Sequence, residues 1–129
     1  MKSGLLKLSI FILGIGVMGC DPVFDVDYEV SNASGKSIFI VIDHSGISKD
    51  TNSISDGTRL IILNASSICC TTKEYLDRLK TIPFEISIVN SSGMNYKKDA
   101  SDISNWRKLY PDKSDGLGRV QLTVGPDDF

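Results

Sequence analysis

The sequence predicts a mainly β protein: a single small antiparallel β-sandwich with one short helix. Three observations carry that expectation. Residues 25–31 alternate strictly, with Val26, Tyr28 and Val30 on one side and Asp25, Asp27, Glu29 and Ser31 on the other, the period-two pattern of a half-buried strand. Residues 38–42 form a continuous apolar run, β-branched apart from Phe39, which suits a central strand buried on both faces. Residues 119–124 alternate again, with Val120, Leu122 and Val124 set against Arg119, Gln121 and Thr123.

The remaining elements follow in chain order. Asn32-Ala33-Ser34-Gly35 reads as a turn, because Asn and Gly tolerate positive φ. It should fold residues 25–31 and 38–42 into a hairpin. Residues 44–57, rich in Ser, Gly, Asn and Asp, read as a long loop, and residues 59–63 (Arg-Leu-Ile-Ile-Leu) as a third strand. Thr71-Thr72-Lys73-Glu74 fits a capping box, with the Thr71 hydroxyl reaching the Glu74 amide. A short helix should follow with Tyr75, Leu76 and Leu79 on one stripe, ending before Pro83. Residues 83–90 alternate through Phe84, Ile86 and Ile88 as a fourth strand. After the Asn90–Gly93 turn, residues 94–98 return as a short fifth. Residues 99–118 are irregular, with Trp106 expected to plug the core or cover a sheet edge. Strands of this length and spacing suggest a sandwich of immunoglobulin-like shape. The Cys–Trp–Cys hallmark of that fold is missing, since Cys69 and Cys70 are neighbours.

Composition bounds the function. A chain of 129 residues, 41% hydrophobic, allows one domain and excludes collagen-like and disulfide-dense classes. Its formal net charge of −2 offers no cationic excess for phosphate neutralisation, so no nucleic-acid partner is expected.

The first twenty residues differ from the rest. Lys2 and Lys7 are the only charges there, and residues 8–18 are almost wholly apolar. Eleven helical residues rise only about 16 Å, well short of a bilayer core of roughly 30 Å. A positive start, a short apolar middle and a small residue at the end describe a secretory signal peptide. Val17-Met18-Gly19-Cys20 resembles the lipobox of bacterial lipoproteins. That resemblance implies cleavage after Gly19, lipidation of Cys20, and attachment to membrane lipid through the acylated cysteine. Two or three acyl chains, at about 0.8 kcal/mol per buried methylene, hold a protein at a membrane essentially permanently. The expected organisation is a signal peptide over 1–19, the lipidated Cys20 with a short acidic tether over 20–25, and a β-sandwich domain over 26–129.

Residues 21–29 contain Asp21, Asp25, Asp27 and Glu29 and no base, whereas acids and bases balance from Val30 onward. Asp21 directly after the cysteine resembles an inner-membrane retention signal. The acidic stretch as a whole resembles a signal that exports lipoproteins to the surface of some Gram-negative bacteria. The expectation is the outer membrane, surface-exposed, with the periplasmic face of the inner membrane as the alternative. The chain beyond Cys20 is also similar to small β-rich envelope lipoproteins of Gram-negative bacteria, through Tyr28-Glu29-Val30-Ser31-Asn32, Asn105-Trp106 and the stretch 120–129. That family lends no activity.

Chemistry-bearing residues are few. Asp43-His44-Ser45 contains the single histidine, but sequence neighbours on a strand point to opposite faces and form no relay. Cys69-Cys70 has a Cα separation near 3.8 Å, below the usual disulfide range. Its readings are a redox switch, intermolecular pairing, or two reduced thiols with one buried as a small hydrophobe. Asp25, Asp27 and Glu29 stand about 7 Å apart along one face, too far to share a calcium ion, and read as a solvated face. Asn32, Asn64 and Asn90 each begin a glycosylation sequon, which turn chemistry explains without sugar.

The resulting expectation is a non-catalytic binding or accessory module at the cell envelope, with no catalytic, cofactor-binding or metal residues. Its partner would be an envelope protein or glycan, met through the 44–57 loop or the 99–118 segment. The alternative is a thiol-redox protein or hydrolase using Cys69-Cys70 or His44.

Overall fold

A computed structural model describes residues 22–44 and 46–129. The signal segment and Cys20 lie outside the described residues. The chain forms β1 (Val23–Asn32), β2 (Ile38–Asp43), β3 (Lys49–Ile54), β4 (Arg59–Ile68), the helix α1 (Thr72–Arg78), β5 (Glu85–Asn90), β6 (Arg107–Leu109) and β7 (Leu117–Val124). Single 3-10 turns occupy Ile103–Asn105 and Pro126–Asp128. Two sheets face each other, one of four strands ordered β4-β1-β7-β6 and one of three ordered β3-β2-β5. The mainly β sandwich with one short helix is therefore what the chain adopts.

Several local expectations need correction. β1 and β2 do not form a hairpin; β1 pairs with β4 and β7, and β2 pairs with β3 and β5. The 33–37 connection crosses from one sheet to the other. Asn32 holds this crossing: its Nδ2 donates to Lys36 O at 2.7 Å and Ile54 O at 2.9 Å, and its Oδ1 accepts from Ser34 N at 3.0 Å. A buried amide satisfied on both ends fixes the chain direction more firmly than a solvent-facing turn would. The second correction concerns residues 44–57, where β3 forms inside the expected loop. Its sequence, Lys-Asp-Thr-Asn-Ser-Ile, carries little apolar signal. Backbone pairing with β2 makes the strand, supported by the tight turn in which Gly46 takes φ 76°.

The ladders are antiparallel except for β1–β7, which is parallel. A parallel partner requires a long crossover, here the whole excursion from β2 to β6. Residues 94–98 contribute only an isolated bridge, Val89 to Asn95, in place of a fifth strand. β1 begins at Val23, so the strand reaches closer to Cys20 than the expected start near Val26.

Between the sheets lie Val26, Tyr28, Val30, Ile40, Ile88, Val120 and Leu122. Tyr28, Phe84 and Trp106 meet edge to face, with ring centroids 5.6 to 6.4 Å apart, the arrangement the ring quadrupoles favour. Trp106 plugs the core as expected, and its Nε1–H donates to Ala100 O at 2.8 Å. α1 starts with the anticipated capping box: Glu74 N donates to Thr71 Oγ1 at 3.2 Å and Thr71 N to Glu74 Oε2 at 2.9 Å. Leu76 is buried, and Lys108 Nζ donates to the terminal carbonyls of Leu76 and Leu79 at 2.7 and 3.0 Å. The helix sits against β7 at Gly118, where a Cβ would stand 2.7 Å from Thr72 Cγ2 and 3.0 Å from Leu76 Cδ1. Only glycine permits that approach.

Candidate functional site

The two segments singled out in the sequence, 44–57 and 99–118, meet at one end of the three-stranded sheet. There the register sets Lys49, Asp43 and Glu85 side by side across β3, β2 and β5. Asp43 Oδ2 lies 3.7 Å from Lys49 Nζ, and Asp43 Oδ1 accepts the Gly46 N–H at 2.8 Å, closing the β2–β3 turn. Behind this row, Val41 and Ser87 point outward from the same sheet face. Residues 99–101 form the opposite wall. Ile86 N donates to Ser101 Oγ at 3.4 Å and Ser101 N to Asp99 Oδ1 at 2.9 Å, fastening the wall to β5. A depression of about 430 Å³ results, lined by Val41, Asp43, Lys49, Glu85, Ser87 and Asp99 among others. A second, of about 420 Å³, shares Asp43 and Glu85 and extends to Ile82 and Phe84.

Three carboxylates and one ammonium around an open, partly apolar floor suit reversible recognition. Carboxylates accept hydrogen bonds from hydroxyls and attract amines. The feature that could have been read earlier is Asp43-His44-Ser45-Gly46, an Asx-and-glycine turn sequence. Glu85 and Ser87 carried no such mark, because strand register alone brings them to the depression.

The other candidates lie apart from it chemically. His44 Nε2 stands 3.4 Å from Asp50 Oδ2 across the hairpin, while Asp43 is engaged by Lys49 and Gly46. The described part of Asp43-His44-Ser45 thus forms no relay; Ser45 lies outside the described residues. Cys69 is exposed and Cys70 buried, both free thiols at the junction of β4 and α1. The hydrogen bond with Cys69, followed by burial, pushes the Cys70 thiol above its ordinary pKa, which lowers its thiolate fraction. Among the described residues no group of three or more His, Cys, Asp or Glu side chains is arranged to hold a metal ion. No helix among them is long and apolar enough to cross a membrane.

The acidic stripe of β1 departs from the solvated face expected of it. Asp27 is 9% and Glu29 2% exposed. Asn64 Nδ2 donates to both Asp25 and Asp27 at 2.8 Å, Gln121 Nε2 donates to Glu29 Oε1, and Arg59 Nη1 lies 3.8 Å from the same oxygen. Long side chains from β4 and β7 close over the central strand, and the buried carboxylates are satisfied. The sequon asparagines are structural. Asn32 and Asn90 are buried at the ends of β1 and β5, where their side chains bond the turns that follow, and the Asn64 amide is held by the two aspartates.

Comparison with protein families, curated proteins and solved structures finds no match for the chain. The class its own fold defines is a two-sheet β-sandwich with a polar depression at one sheet end.

Proposed function

We propose that this chain is a lipid-anchored, non-catalytic binding module of the cell envelope, attached through acylated Cys20 and recognising an envelope protein or glycan in the Asp43–Glu85–Asp99 depression. One observation carries the binding half: two segments far apart in sequence, both rich in turn-forming residues, border a single depression of about 430 Å³ on a rigid sheet. The anchoring half rests on the Val17–Cys20 lipobox. With β1 starting at Val23, only Asp21 and Pro22 lie between it and Cys20, a reach of at most about 11 Å from Cys20 to Val23. β1 leads away from the anchor, and the 33–37 connection sends β2 back toward it, so Asp43 lies toward the membrane-proximal end. A partner at the same membrane is therefore in reach. The acidic stretch over residues 21–29, through its resemblance to a surface-export signal, supports the outer membrane, whereas Asp21 directly after Cys20 is the feature that supports the periplasmic face of the inner one.

Mass spectrometry of the chain from native membranes tests the anchor, with Cys20 as the first residue bearing acyl mass. A bare Cys20, or residues 1–19 still attached, overturns that half. Co-purification under mild detergent tests the binding half. A partner recovered with the wild-type chain should be lost from a Ser87→Arg, Asp99→Arg variant that fills the depression, with the circular dichroism spectrum unchanged. Retention of the partner places recognition elsewhere.

A further inference from the structure

A sandwich of two open sheets has four edge strands, and each exposes a row of unpaired N–H and C=O groups unless something blunts it. Three of the four are blunted here. β3 opens with Lys49 and Asp50 and is polar and exposed along most of its length. β6 has three residues, two of them Arg107 and Lys108. β5 is covered by the following chain, through the Val89–Asn95 bridge, the Tyr96 N–H to Ile88 O bond at 3.0 Å and the Ser101 contact. β4 has none of these devices; its single irregularity is a bulge at Ile62, where the register against β1 shifts between Tyr28 and Glu29. It runs ten residues, Arg59–Ile68, with no proline or glycine and no charge after Arg59. Among the described residues, no hydrogen bond reaches its backbone between Leu60 and Ile68 from the side opposite β1. Ile61 and Ile68 stand 54% and 65% exposed. They share the outer sheet face, because each lies opposite an outward residue of β1, Glu29 and Val23.

From these observations we infer that β4 is a self-pairing edge. Two copies of this chain join antiparallel along β4 about a two-fold axis, merging two four-stranded sheets into one. The charge pattern selects a second copy as the occupant. A strand paired antiparallel with itself brings its own central residues together, and the uncharged run Leu-Ile-Ile-Leu-Asn-Ala-Ser-Ser-Ile meets its copy without like-charge opposition. The one charge, Arg59, falls at opposite ends of the joint ladder. Its two copies are then separated by roughly 30 Å, several times the Debye length of about 8 Å at physiological salt. The inference needs neither the anchor nor the depression, so it stands or falls apart from the proposed function.

With Asn64 on the two-fold axis and Ile62 bulged out of this ladder as it is out of the ladder with β1, position 61 of one copy lies beside position 66 of the other. Both positions are exposed on the outer face, opposite Glu29 and Asp25 of β1, so lysine suits either one; Ser66→Glu faces Asp25, and circular dichroism checks that this variant keeps the native fold. Sedimentation velocity on the full chain in detergent compares the wild type with two double variants. Ile61→Lys with Ser66→Lys opposes like charges across the pair, whereas Ile61→Lys with Ser66→Glu opposes unlike ones. The expected result is a concentration-dependent wild-type dimer, a dissociation constant raised at least about tenfold in the first variant, and one within about threefold of wild type in the second. A wild-type chain monomeric throughout overturns the inference. So does equal weakening of both variants, or no change in either, with native circular dichroism throughout.

Discussion

β1 and β2 invert what their sequences suggest. β1 alternates polar and apolar residues, yet from Val26 to Val30 it is buried on both faces; β2 is apolar from Ile38 to Ile42, yet Phe39 on its outer face is 44% exposed. Neighbouring side chains make the difference. On the outer face, β1 is flanked by Asn64, Arg59 and Gln121, long enough to bond its carboxylates and cover them. β2 is flanked there by Ser53, Thr51 and Ser87 beside Val89, mostly too short to cover anything. Burial of an outer face is thus set by what the adjacent strands carry, and the strand's own hydrophobicity is a poor guide to it.

The largest test lies on the inner face, where both strands should behave alike. Tyr28→Ala removes one ring of the aromatic trio and the hydroxyl bonded to Tyr75 at 2.7 Å, and should cost about 3–5 kcal/mol in chemical denaturation. A loss below about 1 kcal/mol would mean that the core is not closed around this ring. The outer faces should then diverge. Glu29→Ala leaves the Gln121 amide and the Arg59 guanidinium without their shared acceptor and should cost about 1–3 kcal/mol, read from the denaturant midpoint.

A smaller effect is expected at the rim that joins the two sheets. Asp128 O accepts the Lys97 N–H at 2.8 Å, and the Asp128 carboxylate meets Lys98 Nζ at 2.8 Å. Burial pushes that carboxyl up, but Lys98 and the Gly125 N–H outweigh it and hold it below the ordinary range. A group with a lowered folded-state pKa contributes stability that is complete above its unfolded value, near 4, and is lost as pH falls through the folded value. Asp128→Asn should therefore flatten the acid limb of the stability curve below about pH 4; an acid limb identical to wild type would remove Asp128 from that role. The smallest change expected is Phe39→Ser, within about 0.5 kcal/mol in the same denaturation assay. If it cost as much as Glu29→Ala, the contrast between the two outer faces would fail.

Much of the fold was legible. The strands at 25–31 and 119–124 and the capping box at Thr71 follow from periodicity and local hydrogen bonding, which act within a few residues, and the burial of Trp106 follows from the size of its ring. The parts that escaped depend on long-range pairing. The turn at Asn32 looks like a hairpin turn, but its buried amide bonds Ile54, twenty-two residues on, and sends the chain across to the other sheet. β3 has little apolar signal beyond Ile54 and exists through its ladder to β2. Of the candidate depression, the sequence marked the two bordering segments; Glu85 and Ser87 were invisible because only register aligns them with Asp43 and Val41.

By itself, the sequence determined the class of fold, the placement of its clearest strands and the start of its helix, since side-chain period and capping are properties of adjacent residues. The tertiary structure alone decided which strands are neighbours, which carboxylates are buried and which edge stays open. Those outcomes arise where residues tens of positions apart come within a few ångströms, as Glu29 and Gln121 do, and no local pattern encodes such a pairing.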